Sequence, residues 1–386
     1  MNNKLNIKLI TREPFPIGMA ATNRIINYAR GLIKYGFHAE VYIIHSTYKK
    51  PSDKTSSGVF KGIPFRFANS AIRSNSFIKR RFDDIIDFCK SCIDILKDNK
   101  SNVNFIYVNS FFKEFVFVCL SKIKNIKVVR ELCEYPCYKE CFMSKIYLKF
   151  LFPFYDGFVT ISENLYNLAE SNCCTSAKII KIPILLDKND ISDIKPFIHS
   201  KPYIFHGGTL TESKDALIST IKAFAIANKK LRNSIDFIIA GPASSDLSII
   251  KQIIKDENLG NNIIFLGKIT HDQILKYLTG ASLCILNKND TIQNQYGFST
   301  KLSDILLTET PVITTKIGEA CNWLKDGESA YITEPHRPEL IADLIVEAFT
   351  NENKRTEIAK KGKEIALTNF DISVQGVRLA DFLNNI

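Results

Sequence analysis

Residue types that suit anionic ligands gather in the second half of this 386-residue chain. The run Tyr296-Gly297-Phe298-Ser299-Thr300-Lys301-Leu302-Ser303-Asp304 sets a glycine turn and two hydroxyls ahead of a lysine and an acid, and Pro311-Val312-Ile313 then opens an apolar run. A helix beginning near Ser299 offers unpaired first-turn amides to phosphate oxygens. It carries Asp304 about one and a half turns on, where a carboxylate meets ribose hydroxyls. An earlier run, His206-Gly207-Gly208-Thr209-Leu210-Thr211-Glu212-Ser213-Lys214-Asp215, places paired glycines before a lysine at a helix start. Glycines let backbone approach a ligand closely, and the lysine acts as a point charge on a phosphate. The same run also fits a capped helix with a solvated lysine, and His206, beside an apolar strand, reads as structural.

Two further sets are weaker. Arg12 to Thr22 joins a strand to a helix through Gly18, a helix start that favours a diphosphate, yet its single glycine does not make the Gly-x-Gly-x-x-Gly of dinucleotide enzymes. Gly241 and Gly267 each end an apolar run, and either wall a nucleobase pocket or are plain turns. Cys89/Cys92 and Cys133/Cys137/Cys141 have tempting spacings, but lack the histidines or second pair that a tetrahedral zinc site needs, so no metal is expected. The ten cysteines read as reduced thiols packed as small hydrophobes.

These residues require strand ends and helix starts to hold them. Short β-branched runs at Ile7–Ile10, Ala39–Ile44, Phe105–Val108, Lys127–Val129, Gly157–Ile161 and Ile179–Ile182 alternate with helical patterns such as Ala20–Leu32, which Gly36 ends, and Phe82–Leu96. The alternation predicts a parallel, doubly wound sheet. Leu186 to Pro202 is polar and reads as a linker. A second series follows: Tyr203–Phe205, a helix from Lys214 to Asn228, Phe237–Ala240, a helix near Ser248–Asp256, and Ile263–Leu266. The last stretch, Ile372–Ile386, spaces its apolar residues as a helix packed across the domain junction.

Length and composition agree with two soluble α/β domains. The first residues lack a secretory apolar stretch and no run suits a membrane span, so a cytoplasmic protein is expected. The net charge of +11 is uneven: residues 1–190 hold 29 Lys and Arg against 17 Asp and Glu, and residues 191–386 hold 22 against 23. A basic half implies either solvated surface charge or an anionic partner.

Taken together, the run at 296–304 resembles the Phe-Pro-Thr-Lys-Leu-x-Glu-Tyr form of the donor-site signature in family 4 retaining glycosyltransferases of the GT-B fold. The run at 207–215 is similar to their Gly-Arg-Leu…Lys-Gly segment. The resemblance covers nearly the whole chain and implies two Rossmann-like doubly wound domains facing a cleft. Residues 1–190 with 370–386 would form the acceptor-binding domain with its crossover helix, and 191–369 the nucleotide-sugar domain. It implies transfer of a sugar, with retention, from a nucleotide sugar to a saccharide or lipid-linked acceptor, in surface polysaccharide or glycoconjugate assembly. No cofactor or nucleic acid is implied. Lys214 and Lys301 would stabilise charge developing on the leaving β-phosphate. Gly18, Gly207, Gly208, Thr209, Gly241, Gly267, Tyr296, Gly297, Phe298, Ser299, Thr300 and Asp304 would bind the nucleotide sugar.

The chain departs from that pattern at three places. Tyr296 stands where the first glutamate of Glu-x7-Glu falls, with Asp304 at the second; Thr209 stands at the usual arginine; and the first domain's histidine has no equivalent, leaving Glu131 and Glu134 as acceptor or sugar contacts. A nucleotide-sugar epimerase and a catalytically degenerate nucleotide-sugar-binding protein are the alternatives. Basic and aromatic residues interleave from Lys139 to Tyr155 and, with Arg73, Lys79, Arg80 and Arg81, suit either a core helix with solvated lysines or an anionic inner membrane face, to which the protein would be peripheral.

Overall fold

The computed structural model describes residues 5–47, 56–69, 72–136 and 140–386, and the chain divides into two compact units, Met1–Leu185 with Ile372–Ile386, and Leu186–Asp371. Cys137 and Lys139 lie outside the described residues.

The first unit runs β1 (Asn6–Thr11), α1 (Ala20–Lys34), β2 (His38–Ile43), β3 (Ser57–Phe60), β4 (Ile63–Phe67), α2 (Phe77–Leu96) and β5 (Val103–Tyr107). It continues with α3 (Phe111–Ile123), β6 (Lys127–Leu132), α4 (Phe142–Leu151), β7 (Gly157–Thr160), α5 (Glu163–Glu170) and β8 (Lys178–Lys181). The sheet order is β3-β4-β2-β1-β5-β6-β7-β8, parallel except for the β3/β4 hairpin. Every residue of β5 is buried, which is why the central strands read as unbroken apolar runs: both sheet faces are covered. The hairpin escapes the sequence reading. Lys61 and Gly62 both take positive φ, +48° and +78°, the conformation a two-residue turn between twisted strands needs. From β1 the chain steps back to β2 through α1, whereas α2, α3 and α4 each lead the opposite way across the sheet. Right-handed crossovers therefore put α2, α3 and α4 together on the face opposite α1.

The second unit runs β9 (Tyr203–Gly207), α6 (Glu212–Asp215), α7 (Leu217–Lys230), β10 (Asp236–Ala240), α8 (Leu247–Asp256), β11 (Ile263–Gly267) and α9 (His271–Gly280). Then come β12 (Leu283–Leu286), α10 (Ile292–Tyr296), α11 (Lys301–Leu307), β13 (Val312–Thr315), β14 (Tyr331–Thr333), α12 (Pro338–Thr350) and α13 (Glu352–Asn369). Its sheet, β11-β10-β9-β12-β13-β14, is wholly parallel. The chain then returns to the first unit as α14 (Ile372–Asn384), which lies on α1. That crossing is close because both helices offer glycine: a methyl on Gly376 would stand 3.1 Å from the Gly31 Cα, and Tyr35 Oη donates to the Ser373 carbonyl at 2.5 Å.

Three expectations need correction. The polar run after Leu186 belongs to the second unit. The Phe197 amide donates to the Lys276 carbonyl at 3.0 Å, its ring sits 4.4 Å from that of Tyr277, and His199 pairs with Asp236 at 2.8 Å. The helix expected from Lys214 to Asn228 breaks at Ala216, whose φ of +45° is left-handed, and Glu212 Oε2 restarts it by accepting from the Ile218 and Ser219 amides at 2.7 and 3.3 Å. The helix expected near Ser299 begins at Lys301.

Candidate functional site

In each sheet the first strand has its chain successors on both sides, so the connections diverge there. Such switch points open a crevice at the carboxyl ends of the strands. In the second unit it lies between β9 and β12, and the loops after these two strands supply the site.

Asp215 is its centre. Its side chain is 1% exposed, and its Oδ2 accepts from the Thr209 amide at 3.1 Å, the Thr209 hydroxyl at 2.8 Å and Lys301 Nζ at 2.5 Å. Oδ1 accepts from Lys288 Nζ at 2.6 Å. Burial works to raise the Asp215 carboxyl, but Lys301 and then Lys288 overcome it and hold it well below the usual carboxylate range. Lys288 is brought down to about 8 by burial, against the pull of Asp215. His206, wholly buried beneath, is pushed down to about 4 by burial and then by Lys301, which keeps it neutral and suits the structural role read for it.

Lys288 did not emerge from motif spacing. Its signal is topological: it is the second residue after β12, and β12 flanks β9. The loop is tied in place by Lys288 N to Thr315 Oγ1 at 2.9 Å and Asn289 Nδ2 to the Glu212 carbonyl at 2.7 Å. Lys288 Nζ also donates to the Lys214 carbonyl at 3.2 Å, while the Lys214 side chain points to solvent from the end of α6.

The glycine turns of the second unit come together. Gly208 N donates to the Ala240 carbonyl at 2.9 Å and Gly241 N to the Gly267 carbonyl at 2.8 Å, so three neighbouring strands end in one row of turns. A methyl on Gly208 would run into Lys301 Nζ, and one on Gly241 into the Gly208 carbonyl. Gly241 needs glycine for space, because the atom it would meet is backbone. Gly207 closes β9 beside the Phe205 ring.

The rest of the predicted set follows along the chain. Tyr296 ends α10, and the Gly297 amide donates back to the Gln293 carbonyl at 2.9 Å. Phe298 is buried against Phe370, ring centroids 5.8 Å apart, which anchors the loop. The Ser299 and Thr300 carbonyls accept from the Leu302 amide at 3.0 Å and Ser303 Oγ at 2.7 Å, knitting the start of α11. Asp304 pairs through Oδ2 with His271 Nε2 at 3.0 Å, a partner the sequence reading missed. Burial lowers the His271 pKa, but the hydrogen bond and charge of Asp304 outweigh it and raise it.

In the first unit the predicted residues are spread out. Glu131 is buried and accepts from Arg24 Nε at 2.6 Å; Arg24 also donates to the Pro183 and Ile182 carbonyls at 2.7 and 3.0 Å, so the pair fastens α1 to β6 and to the strand end after β8. Glu134 is half-buried near Glu13, whose pKa is raised by burial, lowered in part by Arg12, and raised again by Glu134. A methyl on Gly18 would strike Thr22, whose hydroxyl donates to the Pro14 carbonyl at 2.6 Å, so this glycine answers to the packing of its own loop.

Residues 187–365 match the family model described as Glycosyl transferases group 1. An uncharacterized glycosyltransferase of Methanocaldococcus jannaschii is 24% identical over 130 residues, an alignment spanning 33% of this chain and 35% of that relative. Among solved structures, sucrose-phosphate synthase from Thermosynechococcus elongatus superposes with a TM-score of 0.78 at 13% identity, covering 99% of both chains. Anabaena HepE in complex with UDP-glucose superposes with a TM-score of 0.74 at 16% identity, covering 98% of this chain and 100% of that one. The fold is GT-B, built of two Rossmann-like α/β domains.

Proposed function

We propose that this chain is a retaining, metal-independent glycosyltransferase that holds a nucleotide sugar on its second unit and transfers the sugar to a saccharide or lipid-linked acceptor. One observation carries the reading: two lysines share the single buried carboxylate of Asp215, beside a row of glycine turns at a sheet's switch point. The cluster has one more cation than anion and a row of glycine turns next to it, the arrangement that receives a diphosphate. The matches to glycosyltransferases and the UDP-glucose complex of HepE support the same reading.

In the reaction, the bond between the sugar's anomeric carbon and the β-phosphate oxygen breaks, and negative charge builds on that oxygen. Lys301, held by Asp215, and the solvent-facing Lys214 are the groups that answer this charge. Cations already in place cost no reorganisation when the bond breaks. The acceptor hydroxyl passes its proton to the departing β-phosphate oxygen as it bonds to the anomeric carbon on the face the diphosphate leaves, which retains configuration. Asp304, steadied by His271, takes the ribose; Thr209 and the turns at Gly207, Gly208, Gly241 and Gly267 line the diphosphate and base. Glu134, half-buried in the first unit, is the acceptor or sugar contact.

Thr209 in place of an arginine, and the partial neutralisation of Lys301 by Asp215, favour one second reading, a protein that binds the nucleotide sugar without turnover. A panel of nucleotide sugars screened by ligand-observed NMR, together with nucleoside-diphosphate release in the presence of saccharide and lipid-linked acceptors, decides between them. Binding with release supports transfer. Binding without release under every acceptor supports the second reading, and the absence of any nucleotide-sugar binding defeats both.

A further inference from the structure

The outer surface of the first unit holds a feature that donor binding leaves unused. Helix α2 is turned inside out. Its inward side is largely polar, with Ile95 its one fully buried apolar residue: Asp87 Oδ2 accepts from the Ser46 amide and hydroxyl at 3.1 and 3.2 Å, and Asp94 accepts from Tyr42 Oη at 2.8 Å and Arg66 at 2.9 Å. Its outward side carries Ile78, Phe82, Ile85 and Ile93 at helical spacing, all exposed, Ile78 at 68%. The exposed charges among them are Lys79, Arg81 and Lys90.

The pattern continues on the two neighbouring helices of the same sheet face. The acid of α3, Glu114, is fully buried against Arg130, Tyr147 and Tyr155, while Phe112 and Ile123 face out at 64% and 70%. Helix α4 has no acid, and it exposes Phe142, at 76%, and Phe150 together with Lys145 and Lys149. The rings link the helices: Phe88 of α2 meets Phe112 at 5.7 Å, and Phe115 meets Phe154, just past α4, at 6.3 Å. All five acids of the three helices are buried or half-buried, so the face shows solvent its apolar side chains and its cations.

We propose that the outward face of α2, α3 and α4 docks this chain on an anionic lipid bilayer, with the phenylalanines and isoleucines seated at the boundary between headgroups and acyl chains and the lysines and Arg81 on lipid phosphates. Exposed apolar surface on this scale marks an interface. Sorting acids inward and cations outward selects an anionic partner. A second copy of the chain fits poorly, because a two-fold contact would set this cationic face against itself. The inference stands apart from the sugar-transfer reading and fails or holds without it.

The test is flotation of the full chain with vesicles of phosphatidylglycerol and phosphatidylcholine, and with phosphatidylcholine alone, at low and high salt. The chain is expected to float with the anionic vesicles and to be released by salt. Each surface cation contributes about fivefold in partitioning, so Lys145→Gln with Lys149→Gln weakens binding by about 25-fold. Phe142→Ser with Phe150→Ser also abolishes flotation while thermal unfolding stays that of the parent; if that pair unfolds, Ile78→Ser with Phe82→Ser takes its place. No flotation of the parent with anionic vesicles overturns the proposal. So does undiminished flotation of a folded phenylalanine or α2 variant, or a dimer in sedimentation that those variants dissociate without changing flotation.

Discussion

The two units solve the same topological problem with opposite electrostatics. Both sheets reverse direction beside their first strand, and both bury carboxylates close to that point. In the first unit Glu131 meets Arg24, and Glu114 meets Arg130, one cation for each anion, with the arginines' remaining donors spent on carbonyls and tyrosine or asparagine oxygens. In the second unit one aspartate meets two lysines, and glycines keep the adjacent space clear. A balanced buried pair is a fastening whose charge is used up. An unbalanced cluster leaves one cation unmatched, and burial, with the charge of Lys301 added, lowers the pKa of Lys288 there against the pull of Asp215.

The largest effect expected from this contrast is on stability. Arg24→Ala strands the buried Glu131 charge and should lower unfolding free energy by about 3–5 kcal/mol in urea titration, with nucleotide-sugar affinity unchanged in the folded fraction. A loss near zero would mean the first-unit pair is not the fastening described. Next, Lys301→Ala should reduce donor turnover by about 100-fold, or about 2.7 kcal/mol, and cost less stability, because Asp215 keeps Lys288. Equal stability losses in the two variants would erase the distinction between the units.

A pH experiment sharpens the contrast further. The folded pKa of Lys288, about 8, lies below its ordinary 10.5, so below pH 8 it is charged whether the chain is folded or not. Between those two values the unfolded chain binds a proton that the folded chain has released, and the contribution of Lys288 to stability therefore rises with pH. Affinity for a nucleoside diphosphate should run the other way and fall above pH 8 as the cation is lost. Calorimetric titration across that range checks this, and Lys288→Met should remove the dependence. The smallest effect belongs to the Asp304–His271 pair, proposed to take the ribose: His271→Ala should cost about 0.5 kcal/mol of stability, since both partners are partly solvated, and should weaken donor binding only modestly. A donor-binding loss as large as that of Lys301→Ala would move the centre of the site towards Asp304.

The parallel α/β architecture was legible because strands covered on both faces must read as continuous apolar runs, and the helices between them carry their own period. Strands β3 and β4 were missed because an edge hairpin alternates polar with apolar over only a few residues. Strand β12 was missed because Leu283–Leu286 is only four residues long. The break at Ala216 was hidden for another reason. Nothing in an alanine announces positive φ, and the contacts around it, Glu212 on the Ile218 amide and Asp215 on Thr209, appear only in the folded chain.

Sequence alone picked out the glycine turns at Gly208 and Gly241, which follow strands, and the run that carries Lys301 and Asp304. It could not determine which charges meet. Asp215 and Lys288 are 73 positions apart, and each looks ordinary in its own neighbourhood. The crossing order of the sheet makes β9 and β12 neighbours, and burial at that junction turns two unremarkable residues into one ionised cluster. Pairing of charges is a property of three-dimensional adjacency and local dielectric, and neither is written into spacing along the chain.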